Sequence, residues 1–441
     1  MTASDTTGTD AARNELEFYA LIDRTYPWFP PAHERDSIGI DLPNAYYDRD
    51  LGQQILEEVT QMTQRAERLG YDGVVYFEQH NTPLALIPNA LTAAAWLAAK
   101  TTGIQIGAVG PILNTYSSPV RLAEEIALVD ALSGGRLTVG LPLGIGAQYH
   151  SYGVMNPVHA RARFHEAVAL LHKIWTQDGP FAWEGDYFHI PYVNVWPKPR
   201  TQPHPPVFIP SAGSRETIEL AAKYRFTYQA VLVPMPVLLK GVQLFRDLCN
   251  ENGYEADPRQ VTAVLSVHVA ESDKEARREL EKYALWDVQN VIRFQFHESF
   301  PPGHVSQSSL RAMMSGGYRS SDPSTVTWDE MADGLIAGSP ETVREKIAEI
   351  TGAMGAGRAI VTQEFVAPMW LQEKSMTLFA EEVIPHFRAP DGLAEWQRRP
   401  RAARNYQTAT EMIARKPHRA GHPVVAMNGE YVPLFNRESG A

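Results

Sequence analysis

The chain has 441 residues, 44% of them hydrophobic, a formal net charge of −11 and a single cysteine, Cys249. The acidic balance argues against general affinity for nucleic acid or anionic membrane surfaces, since both need a concentrated cationic face. No stretch approaches eighteen consecutive apolar residues, so no membrane-spanning helix is predicted, and one thiol excludes an internal disulfide framework and Cys-cluster metal sites.

The opening residues, MTASDTTGTDAARNE, lack the apolar core of a secretory leader and are expected to be a disordered lead-in, with the cytoplasm as the expected compartment. Short apolar runs then alternate with longer helical patterns. The runs are Phe18 to Ile22, Gly73 to Phe77, Ile104 to Val109, Leu137 to Leu141, Val207 to Ile209, Phe226 to Leu232, Thr262 to Val269 and Ala359 to Thr362. Helices are predicted over 50–69, 87–100, 119–132, 158–176, 214–224, 236–251, 272–292 and 340–352. Eight strand-helix pairs imply a (β/α)8 barrel of the α/β class with parallel strands. A doubly wound open sheet is the alternative, but no Gly-x-Gly-x-x-Gly turn follows an early strand.

The segment from Ser117 to Gly146 spells one unit with its punctuation. Ser118 is placed to cap a helix, Pro119 suits its first turn, and Leu122, Ile126 and Val129 recur at helical spacing before Gly134 and Gly135 stop it. The strand that follows is continuously apolar, so both of its faces should be covered.

Three segments depart from the repeat. Residues 179–205, with Trp183, Tyr187, Phe188 and Trp196 among prolines, suggest an aromatic hairpin packed on the barrel. Residues 298–330 are polar, Gly-rich and far longer than an ordinary connection, which suits a lid. Met313, Met314 and Tyr318 within them offer an apolar surface to a substrate, although core packing explains them nearly as well. Residues 388–441 read as a C-terminal arm beyond a barrel of 1–387, either wrapping a neighbouring subunit or solvated.

In this barrel class the active site lies where strands end. The second strand breaks into Glu78, Gln79 and His80, three polar side chains at the mouth. His80 is the foremost catalytic candidate, since an imidazole there can donate a hydrogen bond or move a proton. Glu78 has the plainer reading of a strand-end carboxylate that accepts from neighbouring backbone. Ser211-Ala212-Gly213-Ser214 joins a buried strand to a helix start, where backbone N–H groups and the helix dipole favour an anion. A simple N-cap at Ser214 is the equal alternative. Arg121 is expected to face solvent or to pair with Glu125 one turn on. No His-x-His or His-Glu-x-x-His spacing points to a metal, and no Gly-x-Ser-x-Gly elbow points to a serine hydrolase.

The Pro-Val-Arg-Leu-Ala-Glu-Glu helix start, the Leu-Val-Asp-Ala-Leu centre and the Ser-Gly-Gly-Arg stop of residues 119–136 resemble the bacterial luciferase-like, flavin-dependent monooxygenase superfamily. GYDGVVYFEQH (70–80), IQIGAVGPILN (104–114), PPVFIPSAGS (205–214) and GSPETVREKIAEI (338–350) fall in that family's order and extend the resemblance over roughly 15–385. The resemblance implies reduced FMN (FMNH2) as cofactor and O2 and a small organic molecule as substrates. It also implies a C4a-(hydro)peroxyflavin as oxygen donor, and often a homodimer. With no module for NADH, a separate flavin reductase is the expected partner.

It further implies that the 211–214 turn, Ala212 and Gly213 included, holds the FMN phosphate with hydroxyls from Ser214 and Thr217, and that Arg161 or Arg163 neutralises it. A solvated helix face is the alternative for both arginines. Ala108, Val109 and Gly110 would pack against the isoalloxazine, with a non-proline cis peptide at Val109–Gly110; a buried strand end is the plainer reading of the same residues. The family pattern at the second strand is Glu-His-His, whereas Gln79 stands at the middle position here; Gln can orient a ligand but cannot titrate. An F420-dependent oxidoreductase of the same superfamily is the alternative function, and a flavin- or ligand-binding barrel without turnover is the alternative of another class.

Overall fold

The computed structural model describes residues 15–398, less 32, 33, 36, 40, 41, 153–155, 212, 232, 233, 292–299, 302, 305, 306, 308–325, 333, 389 and 390, together with the backbone of 424–425 and 431–432. The expected lead-in, Ala212, Met313, Met314, Tyr318, most of the proposed lid and most of the arm therefore lie outside the described residues. The chain divides after Arg398 into two compact units. Within the first unit, Arg388 bonds Asp72 at 2.7 Å and Trp396 donates to the Tyr71 carbonyl, so the described part of 388–398 packs on the barrel. The second unit contains a short antiparallel pair, Val424–Val425 with Tyr431–Val432.

The strands of the first unit are β1 (Glu17–Leu21), β2 (Gly73–Tyr76), β3 (Gln105–Val109), β4 (Leu137–Gly140), β5 (Phe181–Glu184), β6 (His189–Val193), β7 (Val207–Ser211), β8 (Thr227–Ala230), β9 (Val261–Val269), β10 (Ile336–Gly338) and β11 (Arg358–Thr362). Eight of them pair in parallel in the order β1-β2-β3-β4-β7-β8-β9-β11, and β11 returns to β1 with Phe18 opposite Ala359, so the sheet is closed. This is a (β/α)8 TIM barrel, with β10 paired in parallel to the last residues of β9 and β5–β6 forming an antiparallel hairpin. The eight runs read from the sequence are the eight barrel strands. β10 escaped that reading because three residues carry no periodicity.

Alternation along each strand builds two cores. Phe18 and Ala20 point outward into a shell between strands and helices, whereas Tyr19 and Leu21 point inward to meet Val75, Val109, Phe208 and Ile360. The covering helices are α1 (Arg49–Arg68), α2 (Ala90–Lys100), α3 (Pro119–Ser133), α4 (Gly146–Tyr149), α5 (Pro157–Thr176), α6 (Arg215–Lys223), α7 (Met235–Glu251) and α8 (Asp273–Asn290), followed by Pro340–Met354 and Met369–Leu378. Helix α1 illustrates why these form: the Asp48 side chain caps Leu51 N–H, and Ile55, Val59, Met62 and Ala66 make one buried stripe. Each large apolar side chain of such a stripe contributes about 1.5–3 kcal/mol on burial.

Helix α3 ends at Gly134 with φ 75°, as its sequence predicts, and Arg121 bonds Glu125 at 2.7 Å. Ser118 occupies the N-cap position but makes no side-chain cap bond, contrary to expectation; Pro119 starts the helix with its fixed φ and has no N–H to satisfy.

The N-terminal end of the barrel is closed by charge. Arg358 stacks over Tyr19 and Phe208 and bonds Glu17 at 2.6 Å. A cavity of about 460 Å³ opens beneath it among Glu17, Asp72, Arg259 and Arg388. This is the face that serves stability in such barrels, and the chemistry belongs at the other end.

Candidate active site

At the C-terminal mouth the chain leaves β2 as Phe77-Glu78-Gln79-His80. Glu78 is buried, and its two oxygens tie three segments together: Oε2 accepts from Ala90 N–H at the start of α2, while Oε1 accepts from Ile112 N–H and from His80 Nε2, all at 3.0–3.1 Å. Glu78 thus does what its plainer reading predicts, closing the N-terminus of α2 and the exit of β3. Because a carboxylate only accepts, its bond assigns the hydrogen to His80 Nε2 and leaves Nδ1 as the acceptor. That acceptor takes a 2.8 Å bond from the Tyr152 hydroxyl, with the two rings edge-on at 4.7 Å. His80 is itself buried. Gln79, half-buried, accepts from Gln148 Nε2 at 3.0 Å through its side-chain oxygen.

Beside it, β3 ends in Ala108 and Val109, both buried, and the Val109–Gly110 peptide is cis. A Cβ on Gly110 would lie 2.0 Å from the Gly140 carbonyl oxygen, so only glycine permits this approach of the β3 and β4 ends.

Across the mouth, β7 delivers Ser211. Gly213 has φ 87°, and its N–H bonds Ser211 Oγ. Ser214 stands at the N-cap of α6 without capping it. Its hydroxyl accepts from Arg161 at 3.2 Å and donates to Glu216, which also pairs with Arg161 at 3.2 Å. Thr217 sits half-buried on the same first turn, its N–H bonded to the Ser214 carbonyl. Arg163 goes elsewhere: it donates to the Tyr116 carbonyl and lies 4.4 Å over the Phe188 ring of the hairpin, where burial lowers its pKa. Of the two arginines, only Arg161 reaches α6, because two residues along a helix turn the side chain to a different face.

Several groups escaped the sequence reading. Asp23 follows β1, and burial pushes its carboxyl up to about 7 against bonds from the Phe77 and Arg24 amides. Glu364 follows β11 and faces Asp287 of α8; burial, then their mutual repulsion at Asp287, raises the pair. Both Asp23 and Glu364 are strand-end polar residues, so the rule that singled out Glu78 would have found them. His304, at the start of the long loop, bonds Tyr149 at 2.7 Å, and burial with the nearby Arg161 charge pushes its pKa down to about 4. No sequence signal marks His304 or Tyr152. Among the described residues no group of three His, Cys, Asp or Glu could hold a metal, and no helix is long and apolar enough to cross a membrane.

A model of the luciferase-like monooxygenase family matches residues 40–356. The chain is 26% identical over 335 residues to 4-hydroxyprotoasukamycin monooxygenase of Streptomyces nodosus subsp. asukaensis, covering 73% of this chain and 84% of that one. A 27% identical match over 164 residues to the oxygenase component of a flavin-dependent trigonelline monooxygenase of Acinetobacter baylyi covers 37% of this chain and 45% of that relative. An F420-dependent glucose-6-phosphate dehydrogenase of Kineococcus radiotolerans is 24% identical over 336 residues, covering 74% and 91%. The fold is shared with the oxygenating constituent of 3,6-diketocamphane monooxygenase of Pseudomonas putida, solved in complex with FMN, at a TM-score of 0.63 and 20% identity, covering 84% of this chain and 98% of that one. With a family model spanning most of the barrel and a closed parallel barrel to match, the chain belongs to the luciferase-like monooxygenase family of oxidoreductases.

Proposed function

We propose that this protein is the oxygenase component of a two-component monooxygenase, taking FMNH2 from a separate reductase and inserting one atom of O2 into a small organic substrate. The observation that carries the reading is the meeting of Arg161 and Ser214 at the N-terminus of α6, beside a glycine with positive φ. Guanidinium, hydroxyl and helix-end N–H groups are all donors, which suits a phosphate dianion. Gly213, Ser214, Thr217 and Arg161 would hold that phosphate. Arg163 braces the hairpin instead. Ala108, Val109 and Gly110 would line the ring at the end of β3.

Reduced flavin, when bound, supplies the electrons that activate O2. The protein's own share is to orient it, exclude water and position the substrate. His80 and Glu78 form a buried proton-holding pair, and Gln79 orients a ligand by hydrogen bonding. A homodimer in the cytoplasm is the expected assembly.

The F420-dependent relative makes an F420 oxidoreductase the second reading. Anaerobic titration with FMNH2, FMN and reduced F420, followed by mixing with ¹⁸O₂, tests the choice. Preferred FMNH2 binding and one ¹⁸O atom in the product are expected. F420 binding alone favours the second reading, and flavin binding without oxygen consumption favours a barrel without turnover.

A further inference from the structure

Glu78 and His80 at the end of β2 and Tyr152, seventy-two residues beyond His80, form one hydrogen-bonded chain from the barrel wall to its mouth. Glu78 Oε1 accepts from His80 Nε2 at 3.1 Å, and His80 Nδ1 accepts from the Tyr152 hydroxyl at 2.8 Å. Burial changes sharply along it: Glu78 and His80 are 3% and 4% exposed, whereas Tyr152 is 49% exposed. Both imidazole nitrogens are engaged, so His80 meets a ligand only through the phenol. Tyr152 lies in the segment after β4 at the same mouth as Glu78. The Tyr116 phenol, from the segment after β3, also faces Glu78 and Tyr152, and Glu125 and Arg121 of α3 face Tyr116 in turn.

We propose that Tyr152 is a catalytic residue whose phenol passes protons between the buried His80–Glu78 pair and an oxygen atom of a ligand at the mouth. The arrangement has the logic of an acid-base triad in which an acceptor fixes the imidazole and a hydroxyl is its working end. In the releasing direction, the imidazolium Nδ1–H bond breaks as its proton goes to the phenol oxygen, and the phenol's own proton passes to the ligand oxygen. Neutral His80 remains, still donating to Glu78 through Nε2. Uptake of a proton from a ligand hydroxyl is the reverse. Glu78 is a positioning residue, and Gln79, which cannot titrate, is left to orient.

The inference rests on the mouth being the reaction site, as the oxygenase reading requires, but not on which flavin occupies it. The test is Tyr152→Phe, which keeps the ring against His80 and removes only the hydroxyl, compared with His80→Gln and the double variant. Turnover is measured with FMNH2 and O2 and with F420, and the ratio to wild type is taken in whichever assay the wild type passes. A failed oxygenase reading then shows in the wild type, and with an active wild type a failed relay shows in the ratio. Tyr152→Phe is expected to lower kcat by about 10²- to 10⁴-fold, with KM and flavin Kd changed less than about threefold. The double variant should be no slower than the slower single variant, because the residues act as one unit. A Tyr152→Phe enzyme within threefold of wild type overturns the proposal, as do penalties that multiply in the double variant or a wild type silent in both assays. If His80→Gln does not fold, the Tyr152→Phe ratio decides alone.

Discussion

Arg161 donates to Ser214 across fifty-three residues of sequence, joining the N-terminal part of α5 to the N-cap of α6 at 3.2 Å. Glu216 completes the cluster and holds the guanidinium in charge balance. An arriving phosphate would displace one carboxylate from an existing set of donors, so the corner is organised before any ligand binds.

That relationship separates two arginines the sequence could not separate. Arg161→Ala should weaken FMN binding by about 10- to 100-fold, as loss of a charged hydrogen bond implies. Arg163→Ala should change the Kd less than threefold while lowering the melting temperature, since Arg163 braces Tyr116 and Phe188. Titration calorimetry of both variants checks the pair. Equal losses of affinity would contradict the assignment.

Glu78→Gln places an amide where three donors converge. At most one carbonyl oxygen remains to accept from Ala90 N–H, Ile112 N–H and His80. Destabilisation by about 2–3 kcal/mol is expected, read as a lower urea midpoint with an unchanged m-value.

Gly110→Ala puts a methyl group 2.0 Å from the Gly140 carbonyl, where rigid backbone must give way. A cost of about 3 kcal/mol or more follows from overpacking at a buried strand end. Thermal unfolding of this variant, or its recovery only as aggregate, measures it. A melting temperature equal to wild type would refute the close approach.

Asp23 makes stability depend on pH. Its native carboxyl sits at about 7, above the unfolded value of about 4, so the native state binds more protons than the unfolded state between these values. Its contribution is therefore most favourable at low pH and is lost as pH rises through that window. Asp23→Asn should narrow the difference in melting temperature between about pH 5 and pH 8, chiefly by raising the value at pH 8. An unchanged difference would show that Asp23 is not the buried acid responsible.

The sequence by itself determined what depends on local chemistry and on periodicity. Eight apolar runs separated by helical patterns specify a barrel, because strands covered on both faces read as continuous Val, Ile and Leu. Gly134 stops α3 because a left-handed residue was needed there, and Arg121 pairs with Glu125 because four residues make one turn. The Val109–Gly110 cis peptide fell within a short family pattern and is present. Only the tertiary structure decided what depends on how elements are rotated against one another. Arg161 and Arg163 share one helix, and its orientation alone sends the first to Ser214 and the second to Phe188. His80 and Tyr152 lie seventy-two residues apart, so nothing in either neighbourhood announces their bond. The same holds for burial, which turns Asp23 from an ordinary strand-end acid into one that titrates near neutrality. Desolvation is a property of everything packed around a group, and no segment carries that information alone.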